Sequence, residues 1–326
     1  MFLGIFRISM YTAPGWVNCF LGLINFFLFL PFVFKDKRVA AREQMILQGK
    51  KTEKETWKAI KPDYLTSWAL IFSLFVFVFN FVLLESLGTP LTMEQFAWTK
   101  SEALKNMAII MTVGGFIACI TFMLIAPLCK RFKENHVLIV GGFFLMVLGR
   151  LAHIPYGTTM PKLADDREFI YSNGTQGFYS EDDDRVLGCP KSQDWCNTTP
   201  VMSFEAFIVG YLLTSVGYPV GLTLIQTIFS KVLGPRPQGV WMGLMTASGC
   251  LSRIFGPICV SVLYATHGTF WLSIVTATMM IVPMIWLIML GNRLYIKSHE
   301  MKDEEEGTKL NDLANAVVKN GDITKS

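Results

Sequence analysis

Residues 65–84 are LTSWALIFSLFVFVFNFVLL, an apolar run without a charged side chain. A helix of about 20 mostly apolar residues is long enough to cross the hydrocarbon core of a bilayer. The run therefore predicts a transmembrane helix. Stretches of the same kind predict further crossings at 13–34, 104–128, 137–154, 201–229, 240–265 and 270–290. We expect an all-α polytopic membrane protein with seven transmembrane helices.

The composition of the whole chain agrees with a membrane location. Of its 326 residues, 52% are hydrophobic and only 17% are charged, against about 25% charged in an ordinary soluble domain. The net charge of +4 is too small to favour a polyanionic partner such as nucleic acid. We find no Walker motif, nucleophile elbow, HExxH or dinucleotide fingerprint, and no zinc-type cysteine and histidine spacing. The sequence thus argues against an enzyme, a cofactor or a metal site.

Basic residues in the connections predict the orientation in the membrane. The connection 35–63 holds nine lysines and arginines, and the turns near 130–133 and 231–236 are also basic. Because cytoplasmic loops carry an excess of such residues, the N-terminus is expected to be luminal and the C-terminus cytoplasmic. The predicted organisation is a first helix in 1–34, a basic cytoplasmic loop in 35–63, six helices in 64–292 and a disordered cytoplasmic tail in 293–326.

The connection 155–200 is expected on the luminal side, and its own sequence agrees. It contains N-glycosylation sequons at Asn173 and Asn197. Asn173 is the better acceptor, because Asn197 adjoins Cys196 and is followed closely by Pro200. Cys189 and Cys196 have six residues between them, a spacing compatible with a local disulfide in an oxidising compartment.

Charged and amide side chains inside the apolar stretches are candidate substrate-pathway residues, because polar groups at bilayer depth are costly. Arg253 lies about 20 Å from the cytoplasmic end of its stretch, and its fork of donors suits an anion. Glu85 ends the stretch 65–84 at its luminal border. Asn80 and Gln226 are weaker candidates. The structural alternatives are an interhelical ion pair for Arg253 and an idle interfacial carboxylate for Glu85.

Two further residues, Arg150 and His153, end the fourth apolar stretch near the luminal surface. Long basic side chains at such a position usually extend to the interface. We therefore expect both residues to be interfacial anchors.

Glycine and proline residues indicate where helices break or approach each other. A helix break or gating point is expected at Gly217, Pro219 and Gly221, and a second one at Gly256 and Pro257. Paired glycines also let helices pack closely. Such contacts are expected at the pairs 217/221, 239/243 and 249/256.

Four stretches of the sequence are distinctive. They are MYTAPGWVNCFLGLINFFLFL (10–30), LESLGTPLTMEQFAWT (84–99), CPKSQDWCNTTPV (189–201) and SKVLGPRPQGVWMGLMTASGCLSRIFGP (230–257). Together they resemble the major facilitator superfamily of transporters. The resemblance implies that the seven stretches correspond to helices six to twelve of a twelve-helix transporter. It also implies transport of an anion such as chloride, or of a small solute, across a lysosomal or endosomal membrane.

The resemblance further implies that the chain supplies one transporter half plus one helix. Members of this superfamily bind substrate between two six-helix halves near the midplane of the membrane. The expected partners are the lipid bilayer, the solute, and either an N-terminal half or a second copy of the chain. The chain is then a partial one or a half-transporter that dimerises.

Two other functions remain open at this point. A non-transporting accessory half that pairs with a full transporter is compatible with every feature above. A seven-helix receptor has the same predicted topology, but the third stretch ends in LCKRF without an acidic-Arg-aromatic triplet, and the seventh ends in LGNRLY without an NPxxY pattern.

Overall fold

The computed structural model describes residues 12–30, 63–165, 168–170, 176–178, 186–233 and 238–323. The chain divides into two units, Met1–Ile60 and Lys61–Ser326. The first unit contains helix α1 (Ala13–Leu28), which has a proline in its first turn. Most of the predicted basic loop 35–63 and the sequon at Asn173 lie outside the described residues.

The second unit consists of long helices. They are α2 (Tyr64–Phe96), α3 (Lys100–Arg131), α4 (Glu134–Ala152), α5 (Phe204–Leu233) and a further helical segment, Gly239–Ile323. Within α4, a π-helical turn at Leu138–Phe144 joins two α-helical parts. The apolar stretches predicted between residues 65 and 290 are thus helical, as expected.

Between α4 and α5 the chain forms two small sheets and a short 3₁₀-helix. Strand β1 (Leu163–Ala164) pairs in parallel with β4 (Cys189–Pro190), and β2 (Glu168–Ile170) pairs antiparallel with β3 (Gln176–Phe178). The 3₁₀-helix spans Asp194–Asn197.

The last helical segment turns back on itself at Gly268. The part Gly239–Gly291 has 53 residues, which is about 80 Å of helix and enough to cross a bilayer twice. Gly268 has φ 76° and ψ −171°, a conformation that residues with a Cβ avoid. We call the helix before Gly268 α6 and the helix after it α7. The two stretches predicted at 240–265 and 270–290 are therefore separate helices.

The end of α7 differs from the prediction. A disordered tail was expected from residue 293, but the helix continues to Ile323. The tail sequence is rich in Glu, Lys, Leu and Ala, which are among the strongest helix formers.

Helix α2 lies at the centre of the second unit, and most of its length is buried. Small side chains of α6 let the two helices pack closely. Ser252 Oγ donates a hydrogen bond to the carbonyl oxygen of Phe75 at 2.7 Å, across the helix interface. Four residues further along α6, a Cβ added to Gly256 would lie only 3.2 Å from a methyl group of Val82, so the two helices are in close contact there. Serine and glycine are typical of such membrane helix interfaces.

Glycines also bring α4 and α5 together. A Cβ on Gly149 would lie 3.0 Å from the carbonyl oxygen of Gly210, and one on Gly217 would lie 3.1 Å from that of Gly142. Because backbone atoms cannot move aside easily, a larger residue at either position would strain the contact between the two helices. The expected close approach at Gly217 is confirmed.

Helix α5 runs through Gly217, Pro219 and Gly221 without ending, and α6 likewise runs through Gly256 and Pro257. A break or gating point at these residues stays a prediction. Neighbouring helices support these residues, as they commonly do for prolines within membranes. No heavy atom would come within 4 Å of a Cβ added at positions 239, 243 or 249, so those glycines make no close helix contact within the described structure.

The helices have two distinct ends. At one, which we call the turn end, the ring of Tyr64 lies 5.8 Å from that of Trp241, and Lys231 forms an ion pair with Glu134. At the other, the loop end, the aromatic rings of Phe96 and Phe204 lie 5.6 Å apart. The described residues between 153 and 203 belong to the loop end, as does Gly268.

Replacement of Gly268 by alanine is expected to lower the stability of the fold. The added Cβ would meet the ring of Trp195 at 2.5 Å, and the backbone conformation alone costs about 1–3 kcal/mol for a residue with a Cβ. The thermal unfolding midpoint of the detergent-purified protein measures the effect. Gly115→Ala is the matched control, because a Cβ there has open space around it. An unchanged midpoint for Gly268→Ala would contradict the role of this glycine.

Candidate substrate-pathway site

An ion pair joins α2 and α6. Arg253 Nη1 lies 3.4 Å from Glu85 Oε2, and the two side chains are 53% and 52% exposed. The structure therefore brings together the two strongest candidates from the sequence. They face outward from the helix bundle rather than into its core.

The pair lies deep in the membrane-spanning region. Arg253 follows the start of α6 by about 21 Å and precedes Gly268 by about 22 Å, at 1.5 Å per residue. The expectation that Glu85 lies at the border of its helix is wrong, because α2 continues for eleven residues to Phe96. Asp63 caps the start of α2, and Pro90 is accommodated within it. An ion pair at this depth requires protein or water, and not lipid, in front of it.

Two tyrosines of α5 complete this surface. Tyr218 lies beside both charges, and Tyr211 lies beside Glu85. The Tyr218 ring stacks on the ring of Phe81, with centroids 3.7 Å apart. We call Glu85, Arg253, Tyr211 and Tyr218 the central polar face. It combines a cation, an anion and two hydroxyl groups, which can bind a small polar solute.

The remaining two pathway candidates lie elsewhere. Asn80 is fully buried, and its Nδ2 donates to the carbonyl oxygen of Val76 at 3.3 Å. It is five residues before Glu85, which places it about 140° away around α2. Gln226 is exposed on α5, eight residues beyond Tyr218 toward the turn end. Neither residue belongs to the central polar face.

The expectation for Arg150 and His153 is wrong. Both side chains are buried, with exposures of 1% and 5%. Arg150 Nη2 donates to the carbonyl oxygen of Asn80 at 2.6 Å, and His153 Nδ1 donates to that of Gly149 at 2.5 Å. The close packing of α4 against α5 prevents these side chains from reaching the interface.

A disulfide shapes the loop end. Cys189 and Cys196 are bonded, with Cα atoms 6.0 Å apart. The bond holds the 3₁₀-helix so that the Trp195 ring lies 5.2 Å from that of Tyr264. Gln95 Oε1 accepts from the backbone N–H of Met202 at 3.1 Å and so connects α2 to the chain before α5.

The described part of this loop contains one of the two sequons. Asn197 is the last residue of the 3₁₀-helix, and its side chain is exposed. Asn173 lies outside the described residues. No cluster of three or more His, Cys, Asp or Glu side chains suited to a metal ion occurs among residues that the structure describes.

Sequence reasoning missed Tyr211, Tyr218 and the interior position of Arg150. The two tyrosines are seven residues apart, which places them on nearly the same side of a helix, and this spacing was a usable signal. No comparable signal marked Arg150, because the pattern of apolar residues ends at the same place for an interfacial and for a buried arginine.

Comparison with known proteins identifies the family. The model of the Major Facilitator Superfamily matches residues 2–164. The chain is also 33% identical over 276 residues to Major facilitator superfamily domain-containing protein 8 of Xenopus laevis. It belongs to the major facilitator superfamily. This membership removes the support for a seven-helix receptor.

The match to the frog relative covers 81% of this chain but 54% of the relative. The chain thus spans about half the length of that superfamily member. No solved structure matches the chain.

Replacing Arg253 by glutamine is expected to change the thermal unfolding midpoint little. Exposed ion pairs contribute about 0–1 kcal/mol to stability, and this pair is half-exposed at 3.4 Å. The thermal unfolding midpoints of Arg253→Gln and Glu85→Gln in detergent, compared with that of the wild type, measure the contribution of the ion pair. A loss of several degrees in both variants would instead show that the pair is a structural clamp between α2 and α6.

Proposed function

We propose that this chain forms one half of a major facilitator superfamily transporter for a small anionic solute, with chloride as the first candidate. The central polar face is the observation that supports the proposal. Its ion pair is half-exposed in the middle of the membrane-spanning region, where superfamily members bind their substrates between two halves. A second half, or a second copy of the chain, covers this face.

In the proposed mechanism, Arg253 is always paired and exchanges one anionic partner, Glu85, for another, the solute. A solute anion competes with the Glu85 carboxylate for the guanidinium of Arg253, whose planar fork binds either one. Tyr218 remains beside Arg253 in this exchange. Release of the solute restores the ion pair. In the bound state the displaced Glu85 carboxylate is hydrated or protonated, because an unpaired carboxylate at bilayer depth is costly.

We propose the lysosomal or endosomal membrane as the location, with the loop end luminal and the turn end cytoplasmic. Basic residues at the turn end, among them Lys130, Arg131 and Lys231, support this orientation. The disulfide at the loop end supports an oxidising compartment on that side.

The transport proposal is tested by chloride uptake into proteoliposomes that contain the full chain. Arg253→Gln is expected to reduce uptake at least tenfold, because the solute loses its charged partner at depth. Glu85→Gln is expected to alter uptake differently, since it removes the competitor and leaves the cation. Arg131→Gln, an exposed arginine at the end of α3, is the matched control and retains uptake.

Two results would contradict parts of the proposal. Wild-type uptake equal to that of empty liposomes would argue against chloride and in favour of an accessory half. Wild-type uptake by Arg253→Gln would remove the central polar face from the pathway.

The proposed orientation predicts N-glycans on the connection 155–200. Removal of glycans by an amidase is expected to increase gel mobility of the wild-type protein, and Asn173→Gln is expected to abolish most of this shift. Asn197→Gln serves as the comparison, because that sequon adjoins a disulfide. A mobility that no treatment changes, in cells that glycosylate a control protein, would contradict a luminal loop end.

A further inference from the structure

Arg150 is enclosed in the bundle without a carboxylate partner among the described residues. Its side chain is 1% exposed, and Nη2 donates to the carbonyl oxygen of Asn80. Its Nε has no hydrogen-bond partner. A guanidinium remains charged in proteins, and an unpaired charge in a low-dielectric interior is strongly destabilising. The fold therefore requires a compensating negative charge near Arg150.

A small cavity lies directly beside this side chain. Its volume is about 20 Å³, enough for one water-sized or slightly larger species. The polar wall is formed by Arg150 of α4, by His153 directly after this helix, and by Thr269, Ser273 and Thr276 of α7, while leucines of α2 and α7 form the apolar wall. Glu85 and Arg253 do not line it, so it is separate from the central polar face.

Two donors at the cavity have no partner, Arg150 Nε and Thr269 Oγ1. The other hydroxyl groups are used, because Ser273 Oγ donates to the carbonyl oxygen of His153 and Thr276 Oγ1 to that of Leu272. His153 Nε2 also lacks a partner, but it is an acceptor in the neutral ring, because Nδ1 donates to Gly149, and it does not bind the anion. Unpaired buried donors next to a cation are what an anion requires.

We propose that this cavity binds one monatomic anion of chloride size, held by Arg150 and Thr269. A water molecule would satisfy the donors but not the charge. A phosphate or sulfate is too large for the volume, and a carboxylate from another chain cannot reach a side chain that is 1% exposed. The site goes beyond the proposed transport, because a resident anion stabilises the bundle whether or not the chain moves a solute.

The test is the thermal unfolding midpoint of the full chain in detergent, measured in sodium chloride, sodium bromide and sodium gluconate at equal ionic strength. The two halides are expected to raise the midpoint over gluconate by roughly 5–10 °C, the shift for a ligand at about a hundred times its Kd. An equal midpoint in halide and gluconate would overturn the proposal and leave water as the occupant.

Variants connect this shift to the cavity. Arg150→Gln is expected to abolish the halide shift, and Thr269→Val, which keeps the side-chain shape, is expected to reduce it. Arg131→Gln is the matched control and retains the full shift. A wild-type shift in Arg150→Gln overturns the assignment; where that variant cannot be purified, a wild-type shift in Thr269→Val does so. Because the measurement needs no transport, its failure is distinct from failure of the transport proposal.

Discussion

The absence of water from the bilayer core is the constraint on which the rest of this structure depends, because every polar group there must find a partner within the protein. Most hydroxyl groups in the helices donate to a carbonyl oxygen one turn earlier, as Ser73 does to Ala69 and Thr214 to Gly210. Ser252 Oγ lies within hydrogen-bond distance of the carbonyl oxygen of Ser248 at 3.2 Å, but its shorter contact, 2.7 Å, is to that of Phe75 in α2, across the helix interface. Small residues also set how closely the helices approach. Glycines let α4 and α5 come together until backbone atoms are in contact. Helix α2 lies at the centre of the second unit, with most of its length buried.

Two arginines satisfy this constraint in opposite ways. Arg253 has a carboxylate partner and is half-exposed, so its surroundings beyond that partner must be polar. Arg150 has one backbone oxygen as partner and is enclosed, so its compensation must come from within the bundle. The exposure of each arginine side chain therefore determines which kind of ligand it can bind. The two proposals follow this difference, with an exchanging solute placed at the half-exposed Arg253 and a resident anion at the enclosed Arg150.

The sequence was sufficient for the fold because spans of apolar residues determine which segments cross a bilayer, and turns such as Gly268 separate them. It also placed Arg253 at depth. It could not place side chains around each helix axis, because α2 is apolar on all sides and its pattern shows no preferred face. Asn80 and Glu85 consequently could not be assigned to different faces of α2, although the carbonyl oxygen of Asn80 contacts Arg150 and the carboxylate of Glu85 contacts Arg253. The helix end was also missed, because residues 85–96 mix polar and apolar residues and only the packing of Leu87 and Leu91 shows that the helix continues.

Helix α2 connects the two arginine sites, since it supplies the partner of each. The carbonyl oxygen of Asn80 receives the hydrogen bond from Arg150, and the carboxylate of Glu85, about 7.5 Å further along the axis, pairs with Arg253. Asn80 and Glu85 lie about 140° apart around the axis of α2, so rotation of α2 changes both contacts at once, whereas bending of α6 alone changes only the pair with Glu85. Under the proposed exchange, movement of α6 or of the Arg253 side chain leaves the contact of Arg150 in place, whereas rotation of α2 does not. The burial of α2 and the exposure of much of α6 favour that division, with α2 as the fixed element.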